Sequence, residues 1–279
     1  MPGSNRRALE KARSLPADVI IMDLEDAVAP EQKELARDQV VAALTEGGFG
    51  QREVMVRING IHSDWGRLDL DAILTAQPDA IVLPKAESES DIRWVSQRIL
   101  DAHLPGDMTL WAMIETPMAL MNIGEIAATA RTTRLRGLIV GSNDLIKDLR
   151  IANRRDRHYL LPALTSVITA ARAYGLDAID GVYNDIGDEV GLRAECEQGR
   201  DLGFDGKTLI HPTQLDISND LFRPDQETVD WAYRVIAAFS SPEHLQTGVI
   251  KLDGHMVERL HLEQAERLIA VHEAIQAYN

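Results

Sequence analysis

Apolar residues in this chain come in short dense runs, separated by longer stretches in which they recur every third or fourth position. The runs are Ala17 to Leu24, Val54 to Ile58, Ala80 to Leu83, Leu110 to Ile114, Gly137 to Val140, Ala178 to Val182 and Lys207 to Ile210. Between them, Glu31 to Leu44, Glu87 to Leu100 and Leu161 to Tyr174 carry helical spacing. Strands alternating with helices predict parallel βαβ units, and runs apolar on both faces predict buried strands. A doubly wound open sheet and a closed barrel both satisfy this periodicity. The strand ends favour the barrel. The runs finish in Asp23, Glu25 and Asp26; Arg57 and Asn59; Lys85; Glu115; Asn143 and Asp144; Asn184; and His211. A TIM (β/α)8 barrel gathers such groups at one mouth, whereas an open sheet spreads them along an edge.

Seven strands are counted rather than eight. Met1 to Ser4 reads as a turn and helix start, so the first strand is either missing before it or dispensed with in closing the barrel. After His211 the pattern changes. Glu227 to Phe239 is amphipathic, Gly248 to Glu258 reads as two extended pieces around the Asp253-Gly254 turn, and a last helix spans about Glu263 to Ala277. The expected organisation is a catalytic barrel over residues 1–222 and a C-terminal lid or oligomer-contact arm over 223–279. There is no internal repeat and no low-complexity stretch.

At 279 residues, 45% hydrophobic and 26% charged, the chain can bury a core without disulfides. A formal charge of −15 argues against nucleic acid or an anionic membrane as the main partner. An anionic substrate then requires a local cation or a bound metal. Cys196 is the single cysteine, so neither an intrachain disulfide nor a thiolate zinc cluster is available. With no signal-peptide pattern at the start and no apolar run near the ~20 residues that span a bilayer, the expected location is cytoplasmic.

Glu115 and Asp144 each follow an apolar strand, and two strand-end carboxylates with open positions suit Mg2+, with Mn2+ able to replace it. The plainer alternative is two acids satisfying loop amides or salt bridges. Asp23, Glu25 and Asp26 crowd one strand end and need a cation or an arginine to answer them. They either reach metal through water or orient Arg57, and Asp26 alone could cap the next helix. Arg57 can grip a carboxylate with a bidentate fork, or simply neutralise the acids. Lys85, flanked by Pro84 and Glu87, reads as an ion-paired lysine rather than a Schiff-base nucleophile. Gly206-Lys207-Thr208 lacks the glycine five residues upstream and leads into a strand, which excludes a nucleotide phosphate loop. Isolated histidines, no HExxH and no G-x-S-x-G exclude zinc hydrolysis and a serine elbow. Cys196 lies among acids that disfavour a thiolate. Asp253 reads as turn chemistry.

Six motifs in order cover nearly the whole chain: Asp23-Leu24-Glu25-Asp26-Ala27-Val28-Ala29-Pro30, Val56-Arg57-Ile58-Asn59-Gly60, Leu83-Pro84-Lys85, Ile114-Glu115-Thr116, Gly141-Ser142-Asn143-Asp144-Leu145 and Gly206-Lys207-Thr208-Leu209-Ile210-His211-Pro212. Together they resemble the citrate lyase beta-chain-like branch of the HpcH/HpaI aldolase family, near its malyl-CoA lyases and (3S)-malyl-CoA thioesterases. The resemblance implies a TIM barrel in homotrimers or homohexamers, with Mg2+ on Glu115 and Asp144 and Arg57 on the keto-acid part of the substrate. It implies that Asp253, in Gly248-Val249-Ile250-Lys251-Leu252-Asp253-Gly254, reaches a neighbouring subunit's active site and serves as the acid or base. Glu25, Asp26 and the backbone near Gly141 complete the expected site, and Arg6, Arg7 and Lys11 match positions near the phosphates of coenzyme A. The expected reaction is retro-Claisen cleavage of malyl-CoA or a related 3-hydroxy dicarboxylic acyl-CoA to a 2-oxo acid plus acyl-CoA. The alternative is hydrolysis of malyl-CoA to malate and CoA, and the third is a silent barrel subunit of a lyase complex. Family members usually open with a strand before the Pro-Gly turn, and this sequence starts at the turn.

Overall fold

The computed structural model describes residues 1–104 and 106–278. Seven parallel strands pair in chain order: β1 Val19–Asp23, β2 Glu53–Arg57, β3 Ala80–Leu83, β4 Thr109–Ile114, β5 Leu135–Val140, β6 Asp177–Asp180 and β7 Gly206–Lys207. A doubly wound sheet reverses its order at a switch point, and this one never reverses. Sequential parallel order is that of a TIM-barrel wall, as the strand ends indicated. The last strand differs from its apolar run, Lys207 to Ile210: it holds only Gly206 and Lys207, and the Thr208 N–H donates across to the Asp180 carbonyl of β6. At the other edge Pro2 makes a single parallel bridge to Asp23, flanked by Asp23 N–H to the Met1 carbonyl and Gly3 N–H to the Asp23 carbonyl.

The outer helices are α1 Arg6–Ala12, α2 Lys33–Glu46, α3 Gly66–Ala76, α4 Glu89–Asp101, α5 Pro117–Met121, α6 Ile123–Ala128, α7 Ser142–Leu149, α8 Leu161–Tyr174 and α9 Glu189–Leu202. Their starts are set locally. Asn5 caps α1, Ser88 and Asp91 form a capping box on α4, and Thr116 caps α5 ahead of Pro117 at its first position. Strand side chains alternate, so Met55, Val82, Trp111, Met113 and Ile139 point to one face and pack there with Ile21 and Ile179. Gly137 makes room for this layer: a Cβ there would lie 2.2 Å from the Trp111 ring. Continuing the alternation by two residues carries Asp23, Arg57 and Glu115 onto the same inward face, at the C-terminal ends of β1, β2 and β4.

The chain divides into two compact units, Met1–Ser218 and Asn219–Asn279. Helix α10, Leu215–Phe222, runs through the division. The second unit holds α11 Gln226–Phe239, the antiparallel hairpin of β8 Val249–Leu252 and β9 His255–Glu258, and α12 Arg259–Tyr278. Its own small core joins Val229, Val235, Phe239, Ile250, Val257 and Ile269. The hairpin turn falls at Asp253 and Gly254, with φ of 50° and 87°. Consecutive positive φ values are those of a two-residue type I′ turn, for which Asp-Gly is a favoured pair. The last helix starts at Arg259, four residues ahead of the sequence expectation, because His261 accepts from the Glu258 N–H and anchors its first turn. Among the described residues no helix is long and apolar enough to cross a membrane.

Candidate active site

Arg57 is the centre of the mouth. Its Nε and Nη2 donate to the two oxygens of Asp23 at 2.6 and 2.5 Å, a bidentate fork between adjacent strand ends. Asp23 is fixed from behind by the Glu25 and Ala27 N–H groups at 2.9 and 3.0 Å. Burial alone would raise the Asp23 carboxyl. The Arg57 hydrogen bonds and charge, with the two backbone donors, outweigh it and hold Asp23 below the usual range. Arg57 Nη1 finds only the Met113 thioether at 3.7 Å and Glu25 Oε2 at 3.2 Å. The second contact lies off the hydrogen-bonding line, since Glu25 Oε2 is buried with no hydrogen-bond partner. A guanidinium 18% exposed therefore keeps N–H groups without a protein oxygen.

Glu115 is 1% exposed, and burial together with the facing Glu25 carboxylate pushes its carboxyl up to about 7, against the pull of Lys85 and Arg57. Its Oε1 accepts from the Lys85 N–H at 2.7 Å, and its carboxylate lies against Gly141, where a Cβ would come within 2.3 Å of Oε2. Gly141 is thus a space requirement of Glu115. Its own N–H is committed to the Ile114 carbonyl at 3.1 Å, so any backbone donor to a ligand near Gly141 comes from the residues that follow it. The orphan N–H groups nearby belong to the first turn of α7, which has no side-chain cap. Asp144 sits in that turn, where the helix dipole favours an anion, 3.0 Å from Lys147. Ile114 pairs with Val140, so Glu115 and the Gly141 turn leading to Asp144 leave adjacent strands at one level.

Lys85 has a left-handed backbone, φ 49°, which aims its side chain back across the mouth. The ammonium bonds Glu25 and lies 3.9 Å from Asp26 and 4.0 Å from Glu115. Burial would lower its pKa, but the Glu25 hydrogen bond and the Glu115 and Glu25 charges raise it, as suits an ion-paired lysine. Glu25 is raised by burial, chiefly, against Arg57 and Lys85. Asp26 is exposed and caps no helix, because the turn after it is capped by Ala29 without a side-chain bond.

Arg6 and Arg7 stand exposed in the first turn of α1, which begins next to Asp23, and Arg6 pairs with Glu10. Lys11 lies exposed in the last turn of the same helix. Asp253 belongs to the second unit, where its side chain is 51% exposed and 3.2 Å from Arg234. Cys196 is buried, and burial raises its thiol more than its acidic neighbours do. Lys207 of the false phosphate loop is wholly enclosed, bonded to Glu195, Gly181 and Asp180.

Among the described residues no group of three His, Cys, Asp or Glu is arranged to hold a metal. The donor set nonetheless fits a hard divalent cation that keeps waters in its sphere: oxygens only, with a raised Glu115 and an orphaned Glu25 oxygen. Four carboxyl groups, Asp23, Glu25, Asp26 and Glu115, crowd around Arg57 and Lys85, and burial raises Glu25 and Glu115 among them. Sequence reading missed Lys33, which lies under the Glu25 turn. The signal was present: Lys33 falls on the buried stripe of α2 with Ala36, Val40 and Ala43.

The chain is similar to known proteins. The (3S)-malyl-CoA thioesterase of Cereibacter sphaeroides is 48% identical over 278 residues, covering 100% of this chain and 94% of that protein. Citrate lyase subunit beta of Escherichia coli is 34% identical, covering 97% and 90%. The crystal structure of CitE from Mycobacterium tuberculosis, in complex with magnesium, acetoacetate and coenzyme A, superposes with a TM-score of 0.77 at 30% identity, covering 97% of this chain and 95% of that one. Residues 1–212 match the family described as HpcH/HpaI aldolase/citrate lyase, and the chain belongs to that family.

Proposed function

We propose that this chain is a Mg2+-dependent enzyme of dicarboxylic acyl-CoA esters, with Glu115 and Asp144 holding the cation and Arg57 gripping the substrate's free carboxylate. The observation that carries the reading is the pairing of a buried, charge-starved Glu115 with a guanidinium whose Nη1 has no oxygen partner in line. The thioesterase relative supports hydrolysis of malyl-CoA to malate and free CoA as the outcome. Citrate lyase subunit beta supports the second reading, carbon–carbon cleavage to a 2-oxo acid and acyl-CoA.

Bound at Glu115 and Asp144, a divalent cation supplies Lewis acidity and offsets substrate charge. Asp23 and Glu25 hold Arg57 so that its fork meets the carboxylate in a fixed plane. The first-turn N–H groups of α7 and Arg57 answer negative charge that develops on the acyl oxygen. In hydrolysis, Asp253 of a neighbouring subunit, or Asp26, accepts a proton from the attacking water. The water oxygen bonds to the thioester carbon, the C–S bond breaks, and the CoA thiolate takes up a proton. In cleavage, Asp26 accepts the proton of the 3-hydroxyl, the bond between C2 and C3 breaks to leave the 2-oxo acid, and Asp253 protonates the α-carbon of the acyl-CoA enolate. Arg6, Arg7 and Lys11 serve the phosphates of coenzyme A. A homotrimer or homohexamer in the cytoplasm, with residues 223–279 as the arm between subunits, supplies Asp253.

Product analysis tests this reading. Incubation with malyl-CoA and Mg2+ should release one malate per CoA thiol. Glyoxylate with acetyl-CoA would assign cleavage instead, and the absence of both product sets would remove the proposal.

A further inference from the structure

Beneath the turn that carries Glu25 lies a buried lysine with no carboxylate in contact. Lys33 is 6% exposed, and its ammonium donates to the Leu24 carbonyl at 2.8 Å, the Glu25 carbonyl at 2.8 Å and the Asn59 side-chain oxygen at 2.7 Å. An ammonium has three N–H donors, and all three are used. The Trp65 ring covers it at 5.4 Å. Asn59 cannot turn away, because its amide nitrogen donates to the Leu24 carbonyl at 2.8 Å and to Asp69 at 2.6 Å. Asp69, wholly buried, also takes the Asn59 N–H at 3.0 Å and the Arg37 guanidinium at 2.9 Å.

Burying a cation against neutral oxygens is a costly way to stabilise a fold, since an apolar side chain would fill the space without the desolvation penalty. What the ammonium does is fix two consecutive carbonyls. Those belong to Leu24 and Glu25, directly between Asp23, which orients Arg57, and the Glu25 side chain, which faces both Arg57 and Lys85. With both carbonyls bound, the backbone of the turn is held against rotation, and the two carboxylates flanking Arg57 stay in register.

We propose that Lys33, held by Asn59 and Asp69, is a positioning residue for Arg57, acting through the Leu24–Glu25 backbone. The inference rests on the reading of this mouth as the CoA-ester site. It separates Lys33 from the cation ligands: losing it should misplace Arg57 while leaving Glu115 and Asp144 in position.

The experiment compares wild-type protein with Lys33→Met, which keeps the methylene stem, and Asn59→Ala, a milder lesion of the same network. Three measurements are made: steady-state turnover of malyl-CoA with Mg2+, Mn2+ binding by calorimetry without substrate, and hydrogen–deuterium exchange of the peptide over residues 22–30. For Lys33→Met, kcat/KM should fall about 10–100-fold, as supporting residues of this kind do, with Mn2+ affinity within threefold of wild type. Asn59→Ala should follow in the same direction with a smaller loss. Exchange should quicken at residues 24–27 and stay unchanged over β4 and β5. Unaltered kcat/KM in a folded Lys33→Met protein overturns the proposal. So does a loss of Mn2+ binding in step with activity, which would make Lys33 a general structural residue. If wild type turns over no CoA ester, the functional reading fails. The exchange data then decide Lys33 alone: local quickening supports its hold on the turn, and unchanged exchange rejects it.

Discussion

At the residue scale the mouth is a problem in charge. Glu115 is buried beside Glu25 and titrates near 7 instead of its ordinary 4.5. A carboxyl whose folded value lies above its unfolded value favours the folded state when protonated. That contribution is fully present below about 4.5 and is lost as pH rises through about 7. The metal-free protein should therefore lose stability between pH 4.5 and 7 from this group, by on the order of 3 kcal/mol at most. Glu115→Gln should flatten that slope in denaturant melts across the same range, and an identical slope in wild type and variant would remove Glu115 as its source. Arg57→Lys keeps the charge but not the fork. It should lower kcat/KM by about 100-fold or more, because a bidentate planar contact becomes a point charge, and a loss under threefold in initial-rate assays would take Arg57 off the substrate.

The elements explain how these residues meet. Strand alternation carries Asp23, Arg57 and Glu115 inward because each stands two residues beyond an inward apolar side chain, Ile21, Met55 and Met113. Close backbone approaches keep that face dense. Gly137→Ala would drive a methyl into the Trp111 ring and should cost about 1–3 kcal/mol in unfolding experiments. Gly141→Ala would instead push on the Glu115 carboxylate. It should weaken Mn2+ binding about tenfold or more, read by calorimetry, and also lower the melting temperature, because the added methyl would lie 2.3 Å from the Glu115 Cβ as well. Unchanged binding would separate Gly141 from the cation site. Six of the seven strands were legible from their apolar runs, because buried parallel strands are apolar on both faces, whereas the seventh shares only Lys207 with its run. The end of the last run was not legible: the strand stops at Lys207, and the Thr208 N–H and hydroxyl make a last cross-strand contact to the Asp180 carbonyl. Sequence shows that a glycine stands at Gly141, but not that its own N–H bonds the Ile114 carbonyl, which leaves the α7 first turn as the source of free donors beside it. Lys33 was missed because a lysine in a charged segment reads as solvated, although its place on an apolar stripe marked it as buried.

At the scale of the whole molecule, two compact units divide the work. The barrel unit carries Arg57, Glu115 and Asp144, and the hairpin of the second unit carries Asp253 on a type I′ turn beside Arg234. If Asp253 serves a neighbouring subunit, Asp253→Asn should reduce kcat by about 10²–10⁴-fold and leave Mn2+ binding unchanged. Mixing that variant with inactive Arg57→Ala protein, followed by subunit exchange, should then restore a fraction of wild-type turnover, because some sites regain both groups. No recovery in verified mixed oligomers would place Asp253 outside its neighbour's site.

Metal-titrated turnover tests the central claim most directly. Protein stripped of metal is assayed with malyl-CoA while Mg2+ is added back, for wild type and Glu115→Gln. Wild type should be inactive when stripped and recover saturably with Mg2+, and the variant should stay inactive or require far more of the ion. Full activity in the stripped protein, or identical Mg2+ curves for the two, would contradict the account.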